Sequence, residues 1–454
     1  MSNQIKINKA VVELRNLIFG KVALPGDEGY NLSVALWNTA VKLRPAFIVK
    51  CTIAADVQLA VMIATKYHIN LTVRGGGHDW AGRSLNQGGM VIDLTMMKAI
   101  TIDQERELAT LGGGVTIGNL VGALKGYDLI AATGSVSDVG MAGLTIGGGY
   151  GPLGGVLGMA LDNLISADVV LADGKLVKAD KNENRDLFWA IRGGGGNFGI
   201  VVSMAVRLHV AQPLTTGMIV YEWRDAEQVL LGLAEVTNLM PAKLSLLAGV
   251  ISDQEGKPVL FISPTWYGDP ADGQLYIDRI KSLATPIICQ IAVMPYSELI
   301  ALYDTQILDG LGYSANTRWF EKLTPDVIKE IIEFCSTRTS PQSFINFHFA
   351  HGAATSIPLP ETAFGIRHEH FVLEIVAAWD MEDKNDEAHT RWAKDFSDKL
   401  GPYSLPGGYP NTLGPNEFIQ IAAAYNSNLK RLRLIKSRYD PAHVFSAQPL
   451  SLVD

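Results

Sequence analysis

The stretch VRGGGHDWAGRS, residues 73 to 84, follows the alternating run HINLTV and sets three consecutive glycines, a histidine and a tryptophan at the end of a strand. Such a turn can present successive backbone N–H groups as an anion-binding concavity. Glycine also removes the Cβ that would block a ligand from the backbone. Three more clusters, Gly112–Gly114, Gly147–Gly149 and Gly193–Gly196, recur among the 45 glycines of this 454-residue chain. Together they point to one shared ligand, for which a pyrophosphate is the obvious guest. Two segments satisfy G-x-G-x-x-G, Gly149–Gly154 and Gly194–Gly199. A Rossmann site needs a strand before the motif and a helix after it, because the helix N-terminus carries the pyrophosphate. The second segment has the reverse order, and the first runs into Pro152 without a lead-in strand, so neither reads as Rossmann. His78 stays open at this point between a hydrogen-bonded loop residue and a ligand handle. A metal is disfavoured, since no His or acid stands at ligand spacing and Asp79 points away in an extended chain.

Around this loop the pattern is strand, helix, strand: PAFIVKC, AADVQLAVMIATKY and INLTV. GGMVIDLT, AITID and LATLGGG read as short strands, and TIGNLVGALKGYD as a helix opened by Thr116. NLISADVVLADGKLVKAD is a hairpin turned at Asp173-Gly174, ENRDLFWAIRG a short helix, and IVVSMAVRLHV a long strand. After AQPL the texture changes to longer alternating strands such as KLSLLAGVI and VLFISPTWYG, mixed with helices such as PDVIKEIIEFCST. The glycine clusters stop there. SNLKRLRLIKSRYDP reads as a basic amphipathic helix ended by Pro441. The expected division is 1–210, 211–404, and a returning segment 405–454.

Composition narrows the function classes. The apolar content of 48% is that of an ordinary soluble globular protein. A net charge of −8 without a basic run gives no footprint for nucleic acid. Cys51, Cys289 and Cys335 are widely spaced, so they read as free thiols in a reducing compartment. The start MSNQIKINKAVVELRNLIFG is broken by Lys9, Glu13 and Arg15 and lacks the apolar core of a signal peptide. No run approaches the roughly 18 apolar residues of a membrane span. A cytoplasmic location, no membrane or nucleic-acid partner, and a monomer or homodimer are expected.

VRGGGHDWAGRS, VIDLTMM, TGSVSDVGMAGLTIGGGYGPLGG, LDNLISADVVLADG, RDLFWAIRGGGGNFGIV and RYDPAHVF, in this order, resemble the successive signatures of the berberine-bridge-enzyme-like flavin oxidases of the vanillyl-alcohol oxidase and p-cresol methylhydroxylase superfamily. The resemblance covers residues 30 to 210 and 405 to 450. It implies an α+β fold: a two-part FAD-binding domain of the PCMH type, about 40–210 in its first part, with an inserted substrate domain of antiparallel sheet and helices. It further implies that His78 bonds covalently to the 8α-methyl carbon of FAD, and that the loop Arg74, Gly75, Gly76, Gly77, with Asp79 and Gly82, wraps the pyrophosphate. Gly140, Gly143, Thr145, Gly147, Gly148 and Gly149 fall in a second cofactor segment, Asn197, Gly199 and Val201 in a third, and Tyr425 and Asn428 in the return. Many relatives carry a second flavin link through cysteine. Here Val136 stands at that place, followed by Ser137, so attachment through His78 alone is expected. Val139 holds the position that in the family governs oxygen access, and favours an oxidase.

Flavin would accept a hydride, leaving the protein to position a C–H bond and manage a proton. Tyrosine can act as base where its pKa is lowered. GGYPN, residues 407 to 411, resembles the family's Y-x-N segment, with Tyr409 as candidate base and Asn411 on the same face. In INFHFAHGA, alternation puts Asn346, His348 and Ala350 on one face and Phe347, Phe349 and His351 on the other. His348 and His351 are both candidates to orient substrate. Arg367 matches a family arginine with a structural role. The expectation is an oxidase that takes a hydride from a small alkaloid-like amine or secondary-metabolite alcohol and returns electrons to O2 as H2O2. Its rivals are a dehydrogenase with another acceptor, an oligosaccharide oxidase, and a non-redox flavoprotein or cyclase.

Overall fold

A computed structural model describes residues 2–446. Three sheets organise the chain. In the first, β1 (Lys21–Ala23), β2 (Phe47–Lys50), β3 (Leu71–Arg74) and β4 (Met90–Asp93) lie in the order β1-β2-β4-β3. The β2-to-β3 crossover is the helix Ala54–Tyr67, and β2, β4 and β3 run parallel. The second sheet takes β5 (Ile100–Asp103), β6 (Leu108–Gly112), β7 (Leu129–Ala131), β8 (Leu164–Val170), β9 (Leu176–Asp180) and β10 (Ile200–Val210). Its spine is β10, which pairs antiparallel with β6, β7 and β8. Asp173-Gly174 turns the β8–β9 hairpin, Gly174 taking φ +80 while Asp173 Oδ1 accepts from Lys175 N–H. Thr116 caps the helix Ile117–Ala123 by accepting from Asn119 N–H.

The third sheet is wholly antiparallel. It takes β11 (Leu214–Glu222), β12 (Leu244–Ser252), β13 (Pro258–Tyr267), β14 (Pro286–Met294), β15 (Leu311–Phe320), β16 (Phe344–Ala350) and β17 (His370–Asp380), in the order β14-β11-β13-β12-β16-β17-β15. The period of two separates its faces. Ile345, Phe347, Leu373 and Ile375 are buried in a core with helices Ala226–Thr237, Pro325–Ser336 and Asp386–Leu400. Asn346, His348, Val372 and Glu374 face the other way, towards a cavity shared with the first two sheets. No helix among the described residues is long and apolar enough to cross a membrane.

The basic helix near the C-terminus, Leu429–Tyr439, is less exposed than its composition predicts. Lys436 is fully buried: its ammonium donates to Asp440 Oδ2 (2.5 Å), Asn197 O (2.7 Å) and Phe445 O (2.5 Å). Three acceptors offset the cost of dehydrating the charge and fasten this helix to the loop before β10. Lys436→Ala leaves Asp440 buried without its cation and should destabilise the fold by about 3–5 kcal/mol. Urea unfolding measures this, and a loss under about 1 kcal/mol would show that the clamp adds little.

Candidate active site

A cavity of about 450 Å³ lies where the three sheets meet. One side is built from the loop after β3, the turn before helix Met141–Gly147 and the turn before β10, and the other from the third sheet. The structure brings fourteen expected residues to its wall: Gly75, Gly76, Gly77, His78, Asp79, Val136, Val139, Gly140, Gly143, Gly199, Val201, His348, Tyr409 and Asn411. Gly77 takes φ +78, which lets the chain turn sharply out of β3 and present His78. Burial lowers the His78 pKa, while Asp138, Asp309 and Asp304 pull it back up.

The glycines play a different part from the one their clustering predicts. A Cβ at Gly76 would come within 2.5 Å of Gly140 N, and one at Gly140 within 2.6 Å of Gly76 N, so these two loops meet backbone to backbone. Cβ atoms at Gly112 and Gly114 would overlap Met97 O and Leu94 O, and at Gly147 the Asn411 side chain. Gly148 faces the Tyr409 ring and Gly149 faces Ala160. Most clusters therefore serve close packing of chain on chain. Gly75 and Gly143 differ: a Cβ at Gly75 would make only ordinary contact and one at Gly143 would meet nothing within 4 Å. Both line the cavity, and there a flat or phosphorylated ligand can lie on bare backbone.

Several expected cofactor residues lie elsewhere. Arg74 turns its guanidinium to Leu32 O (3.1 Å) and Ala35 O (3.0 Å), with Asp93 beyond at 3.9 Å, and so away from the cavity. Ser137 donates N–H and Oγ–H to Asp304 (2.8 and 2.5 Å), joining its turn to the helix Tyr296–Asp304. Gly82 packs on Val41, and Thr145 is buried inside its helix. Gly147, Gly148 and Gly149 stand behind Tyr409 and Asn411. Asn197 donates its amide to Gly194 O and gives its carbonyl to Lys436. Asn428 donates to Thr362 O (3.2 Å) and Tyr425 is buried in the core; neither reaches the wall. His351 also lies outside it: one residue past the end of β16, on the face opposite His348, it stacks on Phe349 at 5.2 Å.

Among the wall residues that the sequence did not single out are Trp37, Tyr150, Ser84 and Glu374. Glu374 left a trace, a lone carboxylate in the stripe Val372–Glu374–Val376 on one face of β17. Its Oε1 accepts from Thr412 Oγ1 (2.6 Å), and its charge pulls upward the pKa of His348, which burial lowers. Tyr409 corrects the expectation of a depressed phenol. Burial pushes it up to about 12, against the lowering effect of Gly149 N–H and Asn411 Nδ2–H, each 2.9 Å from its oxygen. Since two donors occupy that oxygen, its own hydrogen is free to be donated. Tyr150 stands edge-on to Tyr409 at 4.9 Å and has the opposite polarity. His370 Nδ1 lies 2.7 Å from His368 O, which only accepts, so Nδ1 carries the hydrogen and Nε2 receives the Tyr150 O–H at 2.7 Å. Burial holds His370 down to about 4, so it is neutral in this role. Arg367, buried against Asp162 at 2.8 Å, braces the floor beneath.

The wall fits an anionic, flat cofactor. Ser84 Oγ and Arg83 Nη1 are buried at its edge without a protein partner, although Arg83 already holds Asp79 (2.6 Å) and Asn411 O (2.9 Å). The FAD binding domain family matches residues 45–180, and the berberine and berberine-like family residues 411–449. An FAD-linked oxidoreductase of Dictyostelium discoideum is 28% identical over 97% of this chain and 95% of its own length. The crystal structure of 6-hydroxy-D-nicotine oxidase from Arthrobacter nicotinovorans superposes with a TM-score of 0.88 at 27% identity, covering 95% of this chain and 97% of that one. Glucooligosaccharide oxidase from Acremonium strictum, with a 6-S-cysteinyl, 8α-N1-histidyl FAD, shares the fold at a TM-score of 0.86 and 23% identity, covering 98% and 99%. The two matched segments meet at the cavity, where Arg83 donates to Asn411 O, and the chain is an FAD-linked oxidoreductase that carries both the FAD binding domain and the berberine-like segment.

Proposed function

We propose that this chain is an oxidase holding FAD through a single covalent bond to His78 and oxidising a C–H bond of a small amine or alcohol, with O2 as final acceptor. One observation carries the reading: a single cavity joins the His78 loop to Glu374, His348 and Tyr409. In this reading residues 1–210 bind FAD, 211–404 bind substrate, and 405–454 return to complete the site. The histidyl flavin of the Acremonium enzyme supports His78 as the attachment point. Val136 offers no sulfur for a second bond. The neutral imidazole needed for bonding is favoured by the burial of His78.

Bound FAD supplies a hydride acceptor at N5. The protein's own groups do the rest. Tyr409 donates its hydrogen to the substrate heteroatom and orients it. Glu374 would accept the proton lost from the substrate's O–H or N–H as the C–H hydrogen leaves with its electron pair, within a wall whose Met218, Leu247, Phe261 and Val372 exclude water. A wall this apolar, with Glu374 as its one carboxylate not held by an arginine, favours an alkaloid-like amine over an oligosaccharide, whose many hydroxyls would be buried without partners. The position of Val139 at the cavity wall supports the role in oxygen access that the resemblance implies.

Acid precipitation should leave yellow colour in the pellet of the wild type and release it from His78→Ala; wild-type colour in the supernatant would refute the covalent bond. Glu374→Gln should slow anaerobic flavin bleaching by substrate about 10²–10⁴-fold, and stopped-flow absorbance reads this directly. Tyr409, pushed up to about 12, stays protonated through pH 10. Its contribution to kcat should therefore hold across pH 7–10 and fall only as the phenol ionises near 12. An alkaline limb near 10 that Tyr409→Phe abolishes would contradict the assignment.

A further inference from the structure

Trp37 and Asn38 lie in the irregular chain between β1 and β2 and grip the His78 loop from outside. The Trp37 N–H donates to Gly77 O (3.3 Å), and its indole lies parallel to the His78 imidazole, with centroids 4.4 Å apart and planes 12° off. The other face of the indole lies on Tyr313 of β15, at 3.8 Å and 20°. Its buried N–H has no protein acceptor, so the ring faces alone hold the side chain. Asn38 closes the arrangement. Its Nδ2 donates to Trp80 O (2.6 Å) and Tyr313 O (2.8 Å), while Oδ1 accepts from Tyr313 N–H (2.9 Å) and Ala40 N–H (3.1 Å). Both amide hydrogens and the oxygen of that side chain are used. The histidine loop, the chain before β2 and the third sheet are thereby tied at one point.

We infer that Trp37 is a positioning residue for bond formation between His78 and FAD, holding the imidazole plane by stacking. This rests on His78 being the attachment site. The bonding lone pair of an imidazole lies in the ring plane, and the torsion that turns that plane is broad when nothing packs on it. A parallel stack fixes the plane and aims the ring edge, rather than its face, out of the slot between Trp37 and its surroundings. The coupling forms one N–C bond and breaks one methyl C–H bond. The methyl proton, the imidazole proton and the freed electron pair pass to the cofactor ring, and dioxygen removes the pair with two protons as hydrogen peroxide. Trp37 exchanges no proton in this sequence. Its effect is orientation, which acts on the rate of bonding rather than on the affinity for FAD.

The test compares the full-length wild type with Trp37→Leu, which fills the slot without a ring face, and Trp37→Phe, which restores one. Two quantities are read from each: total flavin bound to native protein, by absorbance, and the acid-stable share, in the precipitate. Trp37→Leu should bind total flavin within about twofold of the wild type, with its acid-stable share lowered about tenfold at equal time after FAD is supplied. Trp37→Phe should recover most of that share. Should Trp37→Leu not accumulate, the Phe variant carries the test through a slower rise of the acid-stable share. An unchanged share in Trp37→Leu, or an unslowed rise in Trp37→Phe where only that variant accumulates, overturns the positioning role while leaving His78 as the attachment site. Equal loss of total and acid-stable flavin also overturns it, since a merely structural residue gives that result. Wild-type flavin that dissolves in acid removes the attachment reading itself, and the positioning role with it.

Discussion

The volume that a side chain at residue 147 or 148 would fill is occupied by Asn411 and Tyr409. A Cβ at Gly147 overlaps the Asn411 amide, and one at Gly148 comes within 2.8 Å of the Tyr409 ring. Because that space is bare, the segment 409–412 descends between the sheets and ties together what lines the cavity. Tyr409 takes the Gly149 N–H, Asn411 O takes Arg83, Thr412 O takes the Trp80 indole N–H (2.8 Å), and Thr412 Oγ1 gives its hydrogen to Glu374. Three residues within four positions, Tyr409, Asn411 and Thr412, thus reach both glycine-rich loops and the third sheet. The polar groups of the site are held by neighbours that are themselves held, which is the arrangement that fixes reacting groups within small tolerances.

The two cavity tyrosines show how identical side chains acquire different roles from their partners. Tyr409 is surrounded by donors and gives its hydrogen inward; Tyr150 gives its hydrogen to a neutral His370 and offers lone pairs instead. A substrate that presents one acceptor and one donor meets both. Both phenols are raised by burial, so their polarity is set by hydrogen bonding and holds through the neutral range.

Much of the fold was legible in the sequence because it is written in local periods. The helix opened by Thr116, the Asp173-Gly174 hairpin and the spine strand β10 fall where alternation and turn chemistry place them. The period of two sets Asn346 and His348 on the cavity face of β16 and Phe347 on the other, while His351 lies just past its end. The site was less legible. Glycine clusters look alike whether they admit a ligand or another stretch of chain, and only a neighbour distant in sequence, such as Asn411 for Gly147, tells them apart. Arg74 was drawn to the cofactor by its motif, yet the strand it ends turns it towards Leu32 and Ala35. Trp37 and Asn38 stand in a stretch without periodicity, and nothing local to them marks Gly77, His78, Trp80 and Tyr313 as their partners. The Tyr409 phenol could not be graded from sequence, because its elevation comes from burial.

The bond between Gly149 and Tyr409 spans 260 residues of sequence, and the ammonium of Lys436 reaches back 239 residues to Asn197. On the ribosome the His78 loop emerges well before Tyr409. The cavity has no floor until residue 409 has left the exit tunnel, and the loop before β10 has no anchor until residue 440 has followed. During synthesis the enclosed site therefore comes into being only after the segment 409–412 has joined the two glycine-rich loops.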